Sequence, residues 1–128
     1  MKRGFTLLEL IVVIIILGIL ATLGFTQYTR VVERGRTAEA KMILGQIRTA
    51  QEAYKLENGA YTAAIGDLAV EAPTACATTH YFSYTTDATG LNTATRCTAG
   101  GKTPDSTLAY LITLDTATGA FGGTAGYY

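Results

Sequence analysis

A run of apolar residues near the start of the chain constrains the fold more than any other feature. Between Phe5 and Phe25 the only charged residue is Glu9, and the stretch from Leu10 to Leu17 reads LIVVIIIL. As a helix, the 21 residues of this run would span roughly 31 Å, which matches the hydrocarbon core of a bilayer. Because no face of that helix is polar, we expect it to lie in lipid or in the middle of an assembly.

Three kinds of segment have this composition. The first is a cleavable secretory signal, with Lys2 and Arg3 as its basic head and residues 22–24 as a weak cleavage site. The second is a permanent membrane anchor, and the third is a short leader followed by the shaft of a filament subunit. Glu9 favours the third. An acidic residue at the bilayer centre costs about 2.5 to 3.5 kcal/mol, and neither a signal peptide nor a simple anchor has a use for a carboxylate that would offset this cost.

The residues before Glu9 suggest where its counter-charge comes from. If cleavage after Gly4 freed the α-amine of Phe5, an amine and a carboxylate from different copies could pair in a packed core, where each alone would be costly. The segment KRGFTLLE, residues 2–9, resembles the type IV prepilin motif, and the similarity extends to about Tyr61. The resemblance implies that a prepilin peptidase cuts after Gly4 and N-methylates Phe5, and that Phe5 and Glu9 act in assembly.

The resemblance also implies a setting and a role. It implies a single-pass precursor in the inner membrane, a prepilin peptidase/N-methyltransferase, the pilus assembly machinery and a homo-oligomeric helical filament outside the cell. The function implied is a structural subunit of a type IV pilus, in a family with roles in adhesion, motility or DNA uptake. The alternatives are a minor pilin or pseudopilin of a type II secretion-like machine, and an enzyme or binding module with a cleavable signal. We expect no enzymatic activity.

The chain departs from the family pattern at one position of the shaft. Many family members have a proline where this chain has Thr26, and here Gly18 and Gly24 are the other weak points of the helix. Glycine costs about 1 kcal/mol relative to alanine inside a helix, so this part could melt locally during assembly. The alternative is that the two glycines permit close packing of neighbouring helices.

After Tyr28 the pattern becomes that of an amphipathic helix. Apolar residues recur at steps of three and four, at Ala40, Ile43, Ile47, Ala50 and Tyr54. We predict one helix from about Phe5 to about Glu57, ended by Asn58-Gly59. The chain then divides into a leader (1–4), a transmembrane or filament-core helix (5–28), an amphipathic half (29–58) and a globular β-rich head (59–128).

The head contains segments typical of short strands. These are residues 80–86, 93–98 and 108–114, followed by a turn at 115–119 and a short strand around Phe121. The predicted fold class is therefore α+β, with the long N-terminal helix packed on a small antiparallel sheet. In an exported head we expect Cys76 and Cys97 to form one disulfide, the alternative being two free core thiols.

Charge and spacing predict no further chemistry. Ten basic and ten acidic residues balance, so bulk charge does not indicate a nucleic-acid partner, and local patches leave that question open. His80 is the only histidine and has no nucleophile arranged around it. The spacing of Asp87, Asp105 and Asp115 matches no compact calcium loop. We therefore predict no catalytic residue, no metal site and no cofactor.

Overall fold

A computed structural model describes residues 4–128 and contains one long helix followed by a four-stranded sheet. Helix α1 is Leu7–Asn58, an uninterrupted run of 52 residues. By length and composition it is able to cross a membrane. It ends where Gly59 adopts a φ of 81° and donates its N–H to the carbonyl oxygen of Lys55 at 2.8 Å. The predicted stop at Asn58-Gly59 is confirmed.

The chain divides into two compact units. The first ends at Glu33, and the second is Arg34–Tyr128, which contains the remainder of α1 and all four strands. The predicted segment boundaries at residues 28 and 58 were placed where the polarity of the sequence changes, and they stay predictions. Residues 1–3, which carry Lys2 and Arg3 of the predicted leader, lie outside the described residues.

The head forms an antiparallel meander. Its strands are β1 (Phe82–Thr86), β2 (Leu91–Arg96), β3 (Leu111–Asp115) and β4 (Phe121–Gly123), in the spatial order β1-β2-β3-β4. Tyr84 pairs with Ala94, Ala94 with Ile112, and Ile112 with Gly123 across the sheet. The four strands and the preceding helix confirm the α+β prediction.

Strand β3 begins three residues later than predicted. A turn at Asp105 occupies the expected start: the Leu108 N–H donates to the Asp105 carbonyl oxygen at 3.2 Å, and the Asp105 carboxylate accepts the Thr107 N–H at 2.9 Å. Leu108 is therefore half-buried outside the strand, whereas Ile112 and Leu114 are buried within it as the alternation indicated.

The core of the second unit lies between one face of α1 and the inner face of the sheet. Ala40, Ile43 and Ile47 of the predicted stripe are buried, while Ala50 and Tyr54 pack at its margin. Leu44, which the predicted stripe left out, has no exposed surface. The same cluster includes Phe82, Tyr84, Ala94, Tyr110, Ile112 and Leu114 from the head.

A buried polar network crosses this core. Gln51, which is fully buried, donates from Nε2 to the Thr62 carbonyl oxygen at 2.7 Å and accepts the Thr62 N–H at 3.1 Å. It also donates to the hydroxyl of Thr86, which donates in turn to Asn92 at 2.7 Å. Asn92 donates to the hydroxyl of Thr116 at 2.9 Å. Helix, loop and sheet are thus joined by hydrogen bonds as well as by apolar contact.

Candidate functional site

Thr6 caps the amino end of α1. Its hydroxyl oxygen accepts the backbone N–H of Glu9 at 3.2 Å, and its carbonyl oxygen accepts the N–H of Leu10 at 3.3 Å. A threonine at the N-cap with a glutamate three residues later is the pattern of a capping box, which satisfies N–H groups that the first helical turn leaves unpaired. The sequence pattern of Thr6 followed three residues later by Glu9 is the signal that indicates this cap.

Gly4, Phe5 and Glu9 lie within six residues of one another along the chain, and all three are exposed. Glu9 lies in the first turn of α1, where a carboxylate is favoured by the positive end of the helix dipole. Phe5 is 82% exposed. The three residues predicted for processing and assembly are therefore open to an enzyme or to another copy of the chain.

The rest of the first unit presents apolar side chains to its surroundings. Large aliphatic and aromatic residues are exposed in every turn from Phe5 to Val31. No residue in the most apolar stretch of α1 is buried within the chain. Because burying one such side chain contributes roughly 1.5 to 3 kcal/mol, this surface requires lipid or protein to cover it.

Helix α1 continues through both glycines of the apolar segment. The Thr22 hydroxyl donates to the carbonyl oxygen of Gly18 at 2.9 Å, and the Thr26 hydroxyl donates to that of Leu23 at 3.1 Å. Both hydroxyls are thereby satisfied within an apolar helix. A Cβ at Gly18 or Gly24 would have no neighbour within 4 Å, so packing inside this chain requires neither glycine.

A disulfide joins Cys76 and Cys97, whose Cα atoms are 5.7 Å apart. It links the segment between α1 and β1 to the residue after β2. Cys97 is 1% exposed, whereas Cys76 is exposed. Gly101 packs directly on Cys97, and a Cβ at Gly101 would overlap the Cys97 side chain.

Arg96 is a buried cation beside this bridge. Its guanidinium donates to the carbonyl oxygens of Tyr81 at 3.1 Å, Cys97 at 3.0 Å and Thr103 at 2.7 Å. Carbonyl oxygens stabilise a cation that would be costly in an apolar interior. Arg96 therefore fixes the residues that surround Cys97, a role that its position in the sequence did not indicate.

An open cleft of about 490 Å³ lies beside the segment that carries Cys76. Its walls are mainly apolar, with Glu71 and His80 among the lining residues, and the Thr79 hydroxyl lies 2.8 Å from Nδ1 of His80. Among residues 4–128, no group of three or more His, Cys, Asp and Glu side chains is placed to hold a metal ion.

Two family models match the chain. Residues 37–118 match the model described as Type IV pilin-like G and H, and residues 1–25 match the prokaryotic N-terminal methylation motif. The first match covers well over half of the chain, and the second contains Gly4, Phe5 and Glu9.

Curated relatives are similar over the N-terminal part. The type IV major fimbrial protein FimA of Dichelobacter nodosus is 39% identical over 57 residues, which cover 44% of this chain and 36% of that protein. The type IV major pilin protein PilA of Myxococcus xanthus is 38% identical over 61 residues, 48% of this chain and 28% of that protein. The type II secretion system core protein G of Pseudomonas aeruginosa is 43% identical over 60 residues, 47% of this chain and 42% of that protein. The chain thus matches less than half the length of each.

Proposed function

This chain belongs to the type IV pilin-like G and H family, and we propose that it is a structural subunit of a type IV pilus filament. The observation that carries this proposal is the exposed apolar surface of α1 with a single carboxylate, Glu9, in its first turn. A soluble enzyme has no use for such a surface. A subunit that polymerises from a membrane needs it at both stages, first against lipid and then against other copies.

Processing would place a positively charged α-amine at this end of the chain. A cut after Gly4 leaves the α-amine on Phe5, directly before the capping residue Thr6. A cation is disfavoured at the positive end of a helix dipole, and it is costly in an apolar core. The carboxylate of Glu9 on a neighbouring copy would offset both effects, because the amine and the carboxylate would neutralise each other in the apolar core of a filament. N-methylation of Phe5 keeps that positive charge.

The proposed sequence of states follows from these properties. The precursor is held as a single-pass protein in the inner membrane, a prepilin peptidase trims and methylates it, and the assembly machinery transfers it into an extracellular homopolymer. The match to the N-terminal methylation motif supports the processing step. The head, residues 59–128, would then form the part of each subunit outside the apolar bundle.

A second candidate is a minor pilin or pseudopilin of a type II secretion-like machine. The similarity to the type II secretion core protein G supports it. The aligned residues of the pilin and secretion relatives cover similar shares of this chain, 44 to 48%. Similarity over that part therefore favours the filament-forming class and leaves the two machines to be separated by experiment.

Two measurements test the proposal. The intact mass and N-terminal sequence of the mature chain should begin at methylated Phe5, and a start near Phe25 would show that the apolar run is a cleaved signal. Filaments sheared from cells should contain this chain as their main component if it is the pilus subunit. Filaments in which it is a trace component, with processing intact, would favour the minor pilin or pseudopilin.

A further inference from the structure

The two cysteines of the disulfide differ in their exposure to solvent. Cys97 is 1% exposed and lies against Gly101, while the Cys97 N–H donates to the Tyr81 carbonyl oxygen at 2.9 Å. Arg96 holds the Cys97 carbonyl oxygen at 3.0 Å. Cys76 lies instead in the exposed segment between α1 and β1. A bulky reagent that approaches the folded head therefore meets Cys76 first.

We propose that Cys76 is the attack site for a thiol–disulfide oxidoreductase, and that the mixed disulfide with that enzyme always forms on Cys76. Such exchange requires a thiolate to approach a sulfur atom along the axis of the bond that will break, so access decides which sulfur is attacked. Because Cys76 is exposed in the folded head and Cys97 is 1% exposed, we expect this approach at Cys76.

The bridge would form in two steps. The Cys76 thiolate attacks the disulfide of the oxidised enzyme, a bond between Cys76 and one enzyme sulfur forms, and the second enzyme sulfur leaves as a thiolate. The Cys97 thiolate then attacks Sγ of Cys76 from inside the head, and the first enzyme sulfur leaves as a thiolate into solvent. The two cysteine thiols have lost two protons and two electrons, and the enzyme disulfide has gained the electrons.

The surroundings of Cys76 fit a partner that binds an uncharged peptide segment. Residues 74–79 read TACATT and contain no charged side chain. Thr74, Ala75, Thr78 and Thr79 are exposed. These residues are accessible in the folded head, so the enzyme could act on a head that has already folded.

Partial reduction of the native protein tests the proposal without mutation. The oxidised full chain in detergent is treated with limiting glutathione, quenched with acid, alkylated with a maleimide and digested with trypsin. The two cysteines fall in different tryptic peptides, residues 56–96 and 97–102. Glutathione should be found on the first peptide and maleimide on the second. Glutathione on residues 97–102 in equal or greater amount would overturn the proposal.

Single-cysteine variants give a second measurement. Cys97→Ser and Cys76→Ser are each reacted with oxidised glutathione, and each rate is divided by the rate of the same variant in concentrated urea. The normalised rate of Cys97→Ser, which retains Cys76, should be at least about tenfold higher, because Cys97 must wait for local opening of the head. Equal normalised rates would show that burial of Cys97 does not control the reaction.

Discussion

Arg48 donates a hydrogen bond from Nε to the carbonyl oxygen of Thr116 at 2.9 Å, which attaches helix α1 to the turn between β3 and β4. The guanidinium also lies against Gly119, where φ is 71°. The Gly119 N–H donates to the Asp115 carbonyl oxygen at 2.9 Å. The turn is therefore held from the helix side as well as by its own hydrogen bonds.

We predict that Gly119→Ala destabilises the head by about 1 to 2 kcal/mol, because an L side chain is disfavoured at positive φ. The new Cβ would also lie 3.1 Å from Cζ of Arg48. Urea unfolding of the full chain in detergent, followed by circular dichroism, measures the change. Gly45→Ala is the matched control: it is helical with no atom within 4 Å of the new Cβ, so stability should be unchanged or rise by up to about 1 kcal/mol. Equal stability of the two variants would contradict the role of the left-handed turn.

Removal of the Gln51 side-chain amide should lower the free energy of unfolding by more than the small size of the amide group suggests. Gln51→Ala leaves the buried N–H and carbonyl oxygen of Thr62 without their partner, and an unsatisfied buried group costs about 1 to 3 kcal/mol. We expect the free energy of unfolding to fall by at least about 2 kcal/mol. Gln46→Ala, on an exposed position of the same helix, should change it by less than about 0.5 kcal/mol. A similar small change in both variants would mean that the network contributes little.

Three aspartates should make the head less stable in acid. Hydrogen bonds from Thr89 and Thr107, foremost those of their hydroxyls, lower the pKa of Asp87 and Asp105, and the Thr118 backbone N–H leads in lowering the pKa of Asp115. Since each folded pKa lies below the unfolded one, this stabilisation is present above the ordinary carboxyl pKa. It is lost as the pH falls through the lower folded values, that is, below about pH 4.

The slope of unfolding free energy against pH measures this effect. Asp87→Asn should flatten the slope below about pH 4, because residue 87 can then no longer take up a proton on unfolding. Glu57→Gln, at the exposed carboxyl end of α1, serves as the control. An unchanged slope in Asp87→Asn would argue against a lowered pKa at that position.

We predict that Glu9→Ala leaves membrane insertion intact or improved and strongly reduces the yield of filaments. Removing the carboxylate relieves the cost of a charge near the bilayer, and it also removes the partner of the freed amine. Membrane fractionation and the amount of sheared filament separate the two effects. Glu57→Ala, which removes a carboxylate near the other end of α1, should assemble normally. A normal filament yield from Glu9→Ala would exclude the pairing mechanism.

The proposed cleavage position is tested by Gly4→Val. A branched side chain beside the scissile bond should block the peptidase, so the untrimmed precursor should accumulate in the membrane. Gly18→Val adds the same side chain inside the apolar segment and should be trimmed as usual. The masses of the two chains provide the measurement. Efficient trimming of Gly4→Val would show that the peptidase does not read this position.

The sequence predicted the elements that depend on repeated patterns. The apolar run and the stripe through Ile43 and Ile47 indicated α1, and the alternation through Ile112 and Leu114 indicated β3. Each of these patterns extends over several residues, so the helix is still predicted correctly although the stripe left out the buried Leu44. The start of β3 was predicted three residues too early, because a local turn at Asp105 includes residues that the alternation assigned to the strand.

Single polar residues in the interior were not predictable in the same way. Gln51 and Arg96 have the sequence context of surface side chains. Partners that accompany their burial are separated from them along the chain: Thr62 is 11 residues from Gln51, and Tyr81 is 15 residues from Arg96. Only the folded chain brings the Thr62 and Tyr81 carbonyl oxygens to them. In the proposed site, a local motif predicted Gly4, Phe5 and Glu9. The same motif contains the capping residue Thr6, whose contact with Glu9 was not predicted.

The cap at Thr6 has a consequence for maturation. The hydroxyl and carbonyl oxygens that cap the helix belong to Thr6, which lies after the proposed cut and stays in the mature chain. Removal of residues 1–4 would leave both of these contacts in place, so trimming would change the charge at the end of the helix and keep its cap. The subunit would enter polymerisation with the first turn of its helix already capped.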